Sequence, residues 1–384
     1  MEQLKVHFHK LLRETNTDFQ RSIFNEINWN TRMIGLTGAR GVGKTTLVLQ
    51  HIKLDLQTAD TLYVVADDFY FADKRLLDLA DEFEKRGGKT LFIDEIHKYA
   101  DWSRELKLIY DYHPQLKVVF TCSSILDIKK GVADLSRRAV MYHMYGLSFR
   151  EFLSMYKNVT APVFSLAEIV QHKVEIPEIV HPLPLFEEYI RQGYYPFMQD
   201  EDFAIRIRQI VNQTLEVDIP QFASMNVATG RKLKQLMAVI AKSVPFKPNF
   251  TQIAAVLETS RNNIADYFLY IEEAGLIGQL RSESWDKVDK VYLDNSNLLH
   301  NLAGATPDIG NVRETFFFNQ LRTKHEVCIS PVSDFRIDGM TFEVGGKSKS
   351  KKQIKDVERG FVVRDNIEFG YDNIIPLWQF GFLY

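Results

Sequence analysis

The sequence predicts an α/β fold built around a mostly parallel sheet, and three observations lead to it. In residues 1–150, short apolar runs alternate with helical patterns, as they do in consecutive βαβ units. A glycine-rich turn follows the first run, and an Asp-Glu pair ends the third. The runs, which are typical of buried parallel strands, lie at residues 33–37, 62–66, 90–93, 117–121 and 140–145.

The composition is that of an ordinary soluble globular protein. The 384 residues leave room for two or three domains, and 45% of them are hydrophobic. A net charge of -3 excludes a global basic field, so a nucleic-acid site would have to be a local patch. Cys122 and Cys328 are far apart and neither belongs to a C-x-x-C pair, so we expect no zinc site and no disulfide framework.

The amino-terminal segment MEQLKVHFHK is charged and does not resemble a signal peptide. Nowhere does the sequence contain the run of about 18 apolar residues that a membrane span needs. We therefore expect a cytoplasmic protein without a membrane partner.

The glycine-rich turn, residues 38–45 (GARGVGKT), fits the phosphate-binding pattern G-x-x-x-x-G-K-[ST] between a strand and a helix. Backbone N–H groups and the helix N-terminus would surround phosphate oxygens, although an ordinary glycine-rich turn is the alternative. Lys44 would reach the β- and γ-phosphates, and the Thr45 hydroxyl would ligate Mg²⁺. The predicted contacts of ATP or ADP are Gly38, Ala39, Arg40, Gly41, Val42, Gly43, Lys44, Thr45 and Thr46.

The second motif is Asp94-Glu95, at the end of an apolar strand. Asp94 would hold Mg²⁺, and Glu95 would polarise the water that attacks the γ-phosphate. The alternative is that the pair only begins a helix, where acidic side chains favour the dipole. Together the two motifs predict a magnesium-dependent ATPase that cleaves the β–γ phosphoanhydride.

Two further groups of residues have open roles. Thr121, Ser123 or Ser124 could hold the lytic water or sense the γ-phosphate, or could equally cap a helix. Ser123 is the one we assign to the nucleotide. One of Arg137 and Arg138 could be an arginine finger that acts across an oligomer interface, and a solvated surface pair is the alternative.

Residues 231–300 show three helical patterns and then a hairpin, which is the winged-helix plan. At the start of the third helix, Arg261, Asn262 and Asn263 have the side chains that read guanine and adenine in DNA. The unit is not basic, so an interaction module is the alternative. The tail carries a cluster of lysines that could bind phosphate or form a solvated face, namely Lys347, Lys349, Lys351, Lys352 and Lys355.

Over nearly its whole length the chain resembles bacterial and archaeal AAA+ ATPases with a winged helix and a restriction-nuclease-like C-terminal domain. The segments behind this resemblance are GARGVGKTT, LFIDEIHKYADWSRELKLIYD, VVFTCSSILDI, residues 135–138 leading into 145–152, and GYYP at 193–196. The resemblance implies the finger role for Arg138. Relatives have glycine before that arginine and proline before Leu-Ser-Phe, whereas this chain has Arg137 and Gly146.

The resemblance also implies the domain order. The expected order is a P-loop AAA+ core with a parallel sheet (1–150), then a helical lid (151–230), a winged helix (231–300) and a mixed α/β nuclease-like domain (301–384). In such nucleases an Asp and a later Glu-x-Lys hold magnesium and activate water, which points to Asp334, Glu343 and Lys347. Gly345 stands where the lysine belongs, so we expect a degenerate domain. The first hypothesis is an ATPase that moves the later domains, and the alternatives are an ATP-regulated DNA-binding module and a nuclease.

Overall fold

The computed structural model describes residues 1–122, 135–222, 225, 227–284, 288–304 and 306–384. The chain forms two compact units, Met1–Tyr145 and Gly146–Tyr384. The first unit ends close to the predicted boundary at residue 150. The predicted division of the second unit into lid, winged helix and tail stays a prediction.

The first unit contains a five-stranded parallel sheet in the order β2-β3-β4-β1-β5. This confirms the α/β fold class predicted from the alternating patterns. Strand β4 lies between β3 and β1, so the carboxyl ends of β1 and β3 flank the end of β4 at one edge of the sheet. The strands are β1 Met33–Thr37, β2 Thr61–Val65, β3 Thr90–Asp94, β4 Lys117–Cys122 and β5 Val140–His143.

Helices cover both faces of this sheet, which is why β1–β4 are largely apolar without alternation, whereas the edge strand β5 is exposed to half-buried. On β3, Leu91 and Ile93 pack into one buried cluster and Phe92 into the other. The first cluster includes residues of α4 and α5, and the second includes residues of α1 and α3. The helices of this unit are α1 Glu2–Glu14, α2 Ile23–Glu26, α3 Lys44–Asp55, α4 Leu76–Lys85 and α5 Trp102–Tyr112.

The second unit contains a seven-stranded mixed sheet in the order β12-β11-β10-β9-β8-β6-β7. The antiparallel hairpin β6–β7 belongs to the predicted winged helix, and β6 pairs in parallel with β8 of the predicted tail. One sheet therefore includes strands from two predicted domains. The strands are β6 Ile277–Arg281, β7 Val288–Leu293, β8 Cys328–Ile329, β9 Phe335–Ile337, β10 Met340–Gly345, β11 Gly360–Arg364 and β12 Ile374–Pro376.

Several helices of the second unit begin at a side chain that caps their first turn. The Ser260 hydroxyl accepts a hydrogen bond from the Asn263 backbone N–H, and Gly275 follows that helix with a φ of 73°. None of the described helices combines the length and the apolar character needed to cross a membrane. The helices are α6 Phe149–Lys157, α7 Leu166–Val170, α8 Pro182–Glu188, α9 Phe203–Gln213, α10 Ile219–Phe222, α11 Val227–Ser243, α12 Phe250–Val256, α13 Arg261–Glu273, α14 Ser296–Leu302 and α15 Ile309–Leu321.

Candidate functional site

The glycine-rich loop follows a backbone path that requires glycine. Gly41 and Gly43 have φ values of 86° and 102°, in the left-handed region that side chains disfavour. At Gly38 a Cβ atom would overlap the backbone carbonyl oxygen of Met144. The loop therefore needs its glycines for conformation and for space, and it leads directly into the N-terminus of α3.

Lys44 lies inside this loop and is 8% exposed. Its ammonium donates to the carbonyl oxygens of Gly38, at 2.8 Å, and Ala39, at 2.9 Å. Burial lowers the pKa of Lys44 to about 8, although the Asp94 carboxylate acts in the opposite direction. The lysine is thus held at the loop, where a bound phosphate would be an anionic partner that stabilises its charged form.

Asp94, at the end of β3, is 4% exposed and accepts hydrogen bonds from three hydroxyl groups. Thr45 and Tyr63 each donate to Oδ2 at 2.7 Å, and Thr121 donates to Oδ1. Burial raises the pKa of Tyr63, with the Asp94 charge as the next cause, so its hydroxyl stays protonated and donates. The structure thus brings together Thr45 and Asp94, the two residues predicted for the metal. Their hydroxyl and carboxylate oxygens are hard ligands that suit Mg²⁺.

Glu95 follows with a left-handed backbone, at a φ of 51°. Its N–H donates to the Thr121 hydroxyl at 3.0 Å, and its carboxylate is paired with the ammonium of Lys98. Lys98 also contacts Asp67, with 2.6 Å between Nζ and Oδ2. Nearby, burial followed by the charge of Lys44 lowers the pKa of His97 to about 3, so this imidazole is neutral at ordinary pH.

Sequence reasoning missed three residues of this site. Arg21 donates to the carbonyl oxygens of Val42, at 2.9 Å, and Tyr145, at 2.8 Å, and so ties the loop to the segment after β5. Tyr63 was detectable, because a hydroxyl in the middle of a fully buried strand needs a partner. Lys98 was detectable from its spacing, three residues after Glu95. Arg21 gave no such signal.

The other residues predicted to contact the nucleotide differ in their positions relative to the site. Ser123 and Ser124 lie outside the described residues. The Thr121 hydroxyl lies at the site, where it donates to Asp94 and accepts from the Glu95 N–H. The positive charge of Arg40 contributes to the lowered pKa values of Lys44 and His97, behind the burial of each group. Thr46 lies in the first turn of α3 and is exposed.

Arg138 forms a two-pronged ion pair within the first unit. Its Nε and Nη2 atoms each lie 3.0 Å from a carboxylate oxygen of Asp111 in α5. Two parallel hydrogen bonds of this kind fix the guanidinium plane. A finger role would require Arg138 to leave Asp111, and it stays a prediction.

A second cluster surrounds Glu343, which is 2% exposed, in the second unit. Among the lysines predicted near it, Lys349 rather than Lys347 makes the contact, with 2.8 Å between Nζ and Oε1. The reason is steric: a Cβ on Gly345 would overlap the Lys349 side chain, so the missing side chain makes room for it. The side-chain amide of Gln353 also contacts the same carboxylate. Within the described ranges, no three His, Cys, Asp or Glu side chains are arranged to hold a metal.

The predicted DNA-reading residues lie in the first turn of α13. Arg261 and Asn262 are exposed, and the Asn263 side chain donates to the Thr259 hydroxyl at 3.0 Å. Asn263 is therefore engaged within its own turn. DNA reading by these three residues stays a prediction.

Comparison with known proteins finds a family model that matches most of the first unit. Residues 30–153 match a family model described as "AAA domain". Residues 183–308 match a model described as a domain of unknown function. An uncharacterized protein of Methanocaldococcus jannaschii is 23% identical over 93% of this chain and 85% of its own length.

Two solved structures are also similar in part. The C. elegans PCH-2 structure is 18% identical over 70% of this chain, with a TM-score of 0.26. The S. cerevisiae Hsp104-ADP complex is 17% identical over 69% of this chain, with a TM-score of 0.31. This chain spans 65% and 38% of the length of those two chains. The loop and the family model together indicate that residues 30–153 are similar to the nucleotide-binding domains of AAA proteins.

Proposed function

We propose that the protein binds ATP with Mg²⁺ at the loop of residues 38–45 and hydrolyses it to ADP and phosphate. The observation that carries this proposal is the hydrogen bond between Thr45 and Asp94, next to the buried ammonium of Lys44. The proposal is supported by the position of the glycine-rich turn and of an acidic strand end at one edge of a parallel sheet, where α/β folds bind ligands.

In this proposal each residue has one role. Lys44 exchanges its carbonyl partners for β- and γ-phosphate oxygens, and the loop N–H groups bind the same oxygens. Thr45 and Asp94 would hold Mg²⁺, which when bound neutralises charge on the phosphates. Glu95 accepts a hydrogen bond from the attacking water and orients it towards the γ-phosphorus. Tyr63 and Thr121 orient Asp94 through their hydroxyl groups.

The γ-phosphate is the group that differs between ATP and ADP, so it is the contact that can bias a conformational change. We propose that hydrolysis is coupled to movement of the elements within the second unit. Hydrogen exchange measured with ATP and with ADP would show different protection in residues 146–384, and identical protection would contradict the coupling.

The test of catalysis compares the wild type with Lys44→Ala and Glu95→Gln. We expect Lys44→Ala to bind nucleotide much more weakly, and Glu95→Gln to bind ATP normally with turnover at least about 100-fold lower. Lys85→Ala and Glu82→Gln, which change residues of α4 outside the site, serve as matched controls with wild-type rates. Equal turnover in all five proteins would remove the proposal.

A further inference from the structure

The carboxylate of Glu95 takes part in a chain of charges that phosphate chemistry does not require. Lys98 lies between two acids: its ammonium contacts Oε2 of Glu95 and Oδ2 of Asp67. The side chains of Lys98 and Glu95 are 26% and 24% exposed, whereas that of Asp67 is 47% exposed. Because the Glu95–Lys98 pair is more shielded from water than the Asp67 end, its attraction is screened less.

Hydrogen bonds hold the backbone at Glu95, so its side chain can move only by rotation about its own bonds. The Thr121 hydroxyl accepts the Glu95 N–H, and the Lys98 N–H donates to the Glu95 carbonyl at 2.9 Å. These bonds close a tight turn that places position 98 beside position 95. Burial lowers the pKa of Lys98, but the hydrogen bonds to Asp67 and Glu95 outweigh it and raise the pKa, so Lys98 is charged throughout the assay range.

We propose that Lys98 is a positioning residue that restrains Glu95 and limits basal ATP hydrolysis. This inference rests on the proposed role of Glu95 as the group that orients water. A carboxylate that is paired with an ammonium is a weaker hydrogen-bond acceptor, and it must leave the pair, or share it, to orient water. Asp67 weakens this restraint, because its carboxylate attracts the same ammonium and competes with Glu95 for it.

The test uses steady-state ATP turnover by the full chain. Lys98→Met keeps the length of the side chain and removes the charge, and we expect kcat to rise about three- to tenfold, the range set by one partly shielded ion pair. KM for ATP and Kd for a fluorescent ADP analogue stay within about twofold, because Lys98 makes no contact with the loop in this proposal. Lys98→Gln is a second neutral variant in case the first does not fold. Lys98→Arg keeps the charge and is the control.

We expect Asp67→Asn to change kcat in the direction opposite to that of Lys98→Met. Without the competing carboxylate, Lys98 pairs with Glu95 alone, so kcat falls below that of the wild type. A general loosening of the structure would move kcat in the same direction in the Asp67 and Lys98 variants, so opposite signs separate a restraint from a structural effect.

The double variant Glu95→Gln with Lys98→Met tests whether Lys98 acts through Glu95. We expect it to be as inactive as Glu95→Gln alone. A kcat for Lys98→Met and Lys98→Gln that is equal to or below the wild-type value, in folded proteins with normal ADP affinity, overturns the inference. Nucleotide binding without turnover in the wild type and in every variant would instead show that the proposed ATPase function has failed.

Discussion

Lys44 is the residue whose protonation state should be visible in solution. Its pKa is lowered to about 8 by burial, and only its charged form attracts phosphate. As pH rises from about 7.5 to about 9, the free protein loses this charge, so ATP affinity should fall by up to about tenfold. The measurement is a Kd titration with a non-hydrolysable ATP analogue at several pH values. Lys44→Met should bind weakly with no such slope, and a wild-type Kd that is flat across this range would contradict the prediction.

Lys349 and Lys347 offer a matched pair in the second cluster. Lys349 compensates the buried charge of Glu343, so Lys349→Met should lower the free energy of unfolding by about 2–4 kcal/mol. Lys347→Met removes the same charge from the same segment and should cost less than about 0.5 kcal/mol. Urea unfolding of both variants checks this. Equal effects would mean that Lys349 does not stabilise Glu343.

At the residue scale, the sequence identified those parts of the site that occupy a fixed spacing. Lys44, Thr45 and Asp94 needed only the loop pattern and one strand end. Arg21 could not be found, because its bonds to Val42 and Tyr145 depend on tertiary contacts 21 and 124 residues away. The Glu-x-Lys pattern favours Lys347, the lysine that follows Glu343 most closely in the sequence. The side chain that fills the space above Gly345 is Lys349, and only three-dimensional packing decides this.

At the scale of elements, the turn between β1 and α3 is the feature most sensitive to a single methyl group. Gly38→Ala would place a Cβ against the Met144 carbonyl, which is main chain and cannot rotate away. We expect a loss of at least about 3 kcal/mol in the free energy of unfolding, together with loss of ATP binding. Differential scanning fluorimetry and a nucleotide titration measure the two effects.

Gly87→Ala is the control for that substitution. Gly87 also has a positive φ, 86°, but a Cβ there would meet no atom within 4 Å. The backbone conformation alone should cost about 1 kcal/mol, and ATP binding should be unchanged. If the two alanine variants were equally destabilised, the overlap with Met144 would not be the cause.

Patterns of apolar residues predicted the five strands of the first unit well. Strands β1–β4 are largely buried and form short uninterrupted runs, whereas the edge strand β5 is exposed to half-buried. The ends of helices depend on side-chain caps as well as on the apolar pattern. Helix α15 begins at Ile309, where the Asp308 side chain accepts the Asn311 N–H. Caps of this kind are visible in the sequence, but many Asp and Ser residues compete for the role.

At the scale of the whole molecule, the alternative of DNA binding can be tested against charge. The net charge is -3, and in the second unit Lys349 and Lys290 contact Glu343 and Glu314 at 2.8 Å and 3.1 Å. We therefore expect duplex DNA to bind no tighter than about 1 μM at about 150 mM salt, the range of non-specific binding. Fluorescence anisotropy at two salt concentrations checks this.

The substitution that separates specific from non-specific binding is Arg261→Ala, with Arg208→Ala as the control outside α13. We expect neither to change duplex affinity. A tighter Kd that Arg261→Ala alone weakens about tenfold would favour the ATP-regulated DNA-binding module over the ATPase as the main function.

The seven-stranded sheet limits the positions at which this protein can be truncated. Its antiparallel strands β6 and β7 precede β8 by a long stretch of chain, yet β6 pairs with β8 through Arg281 and Cys328. A truncated chain that stops near residue 300 would expose the unsatisfied edge of β6, and such edges invite aggregation. Fragments meant for crystals or binding assays should therefore carry residues 146–384 as a single piece.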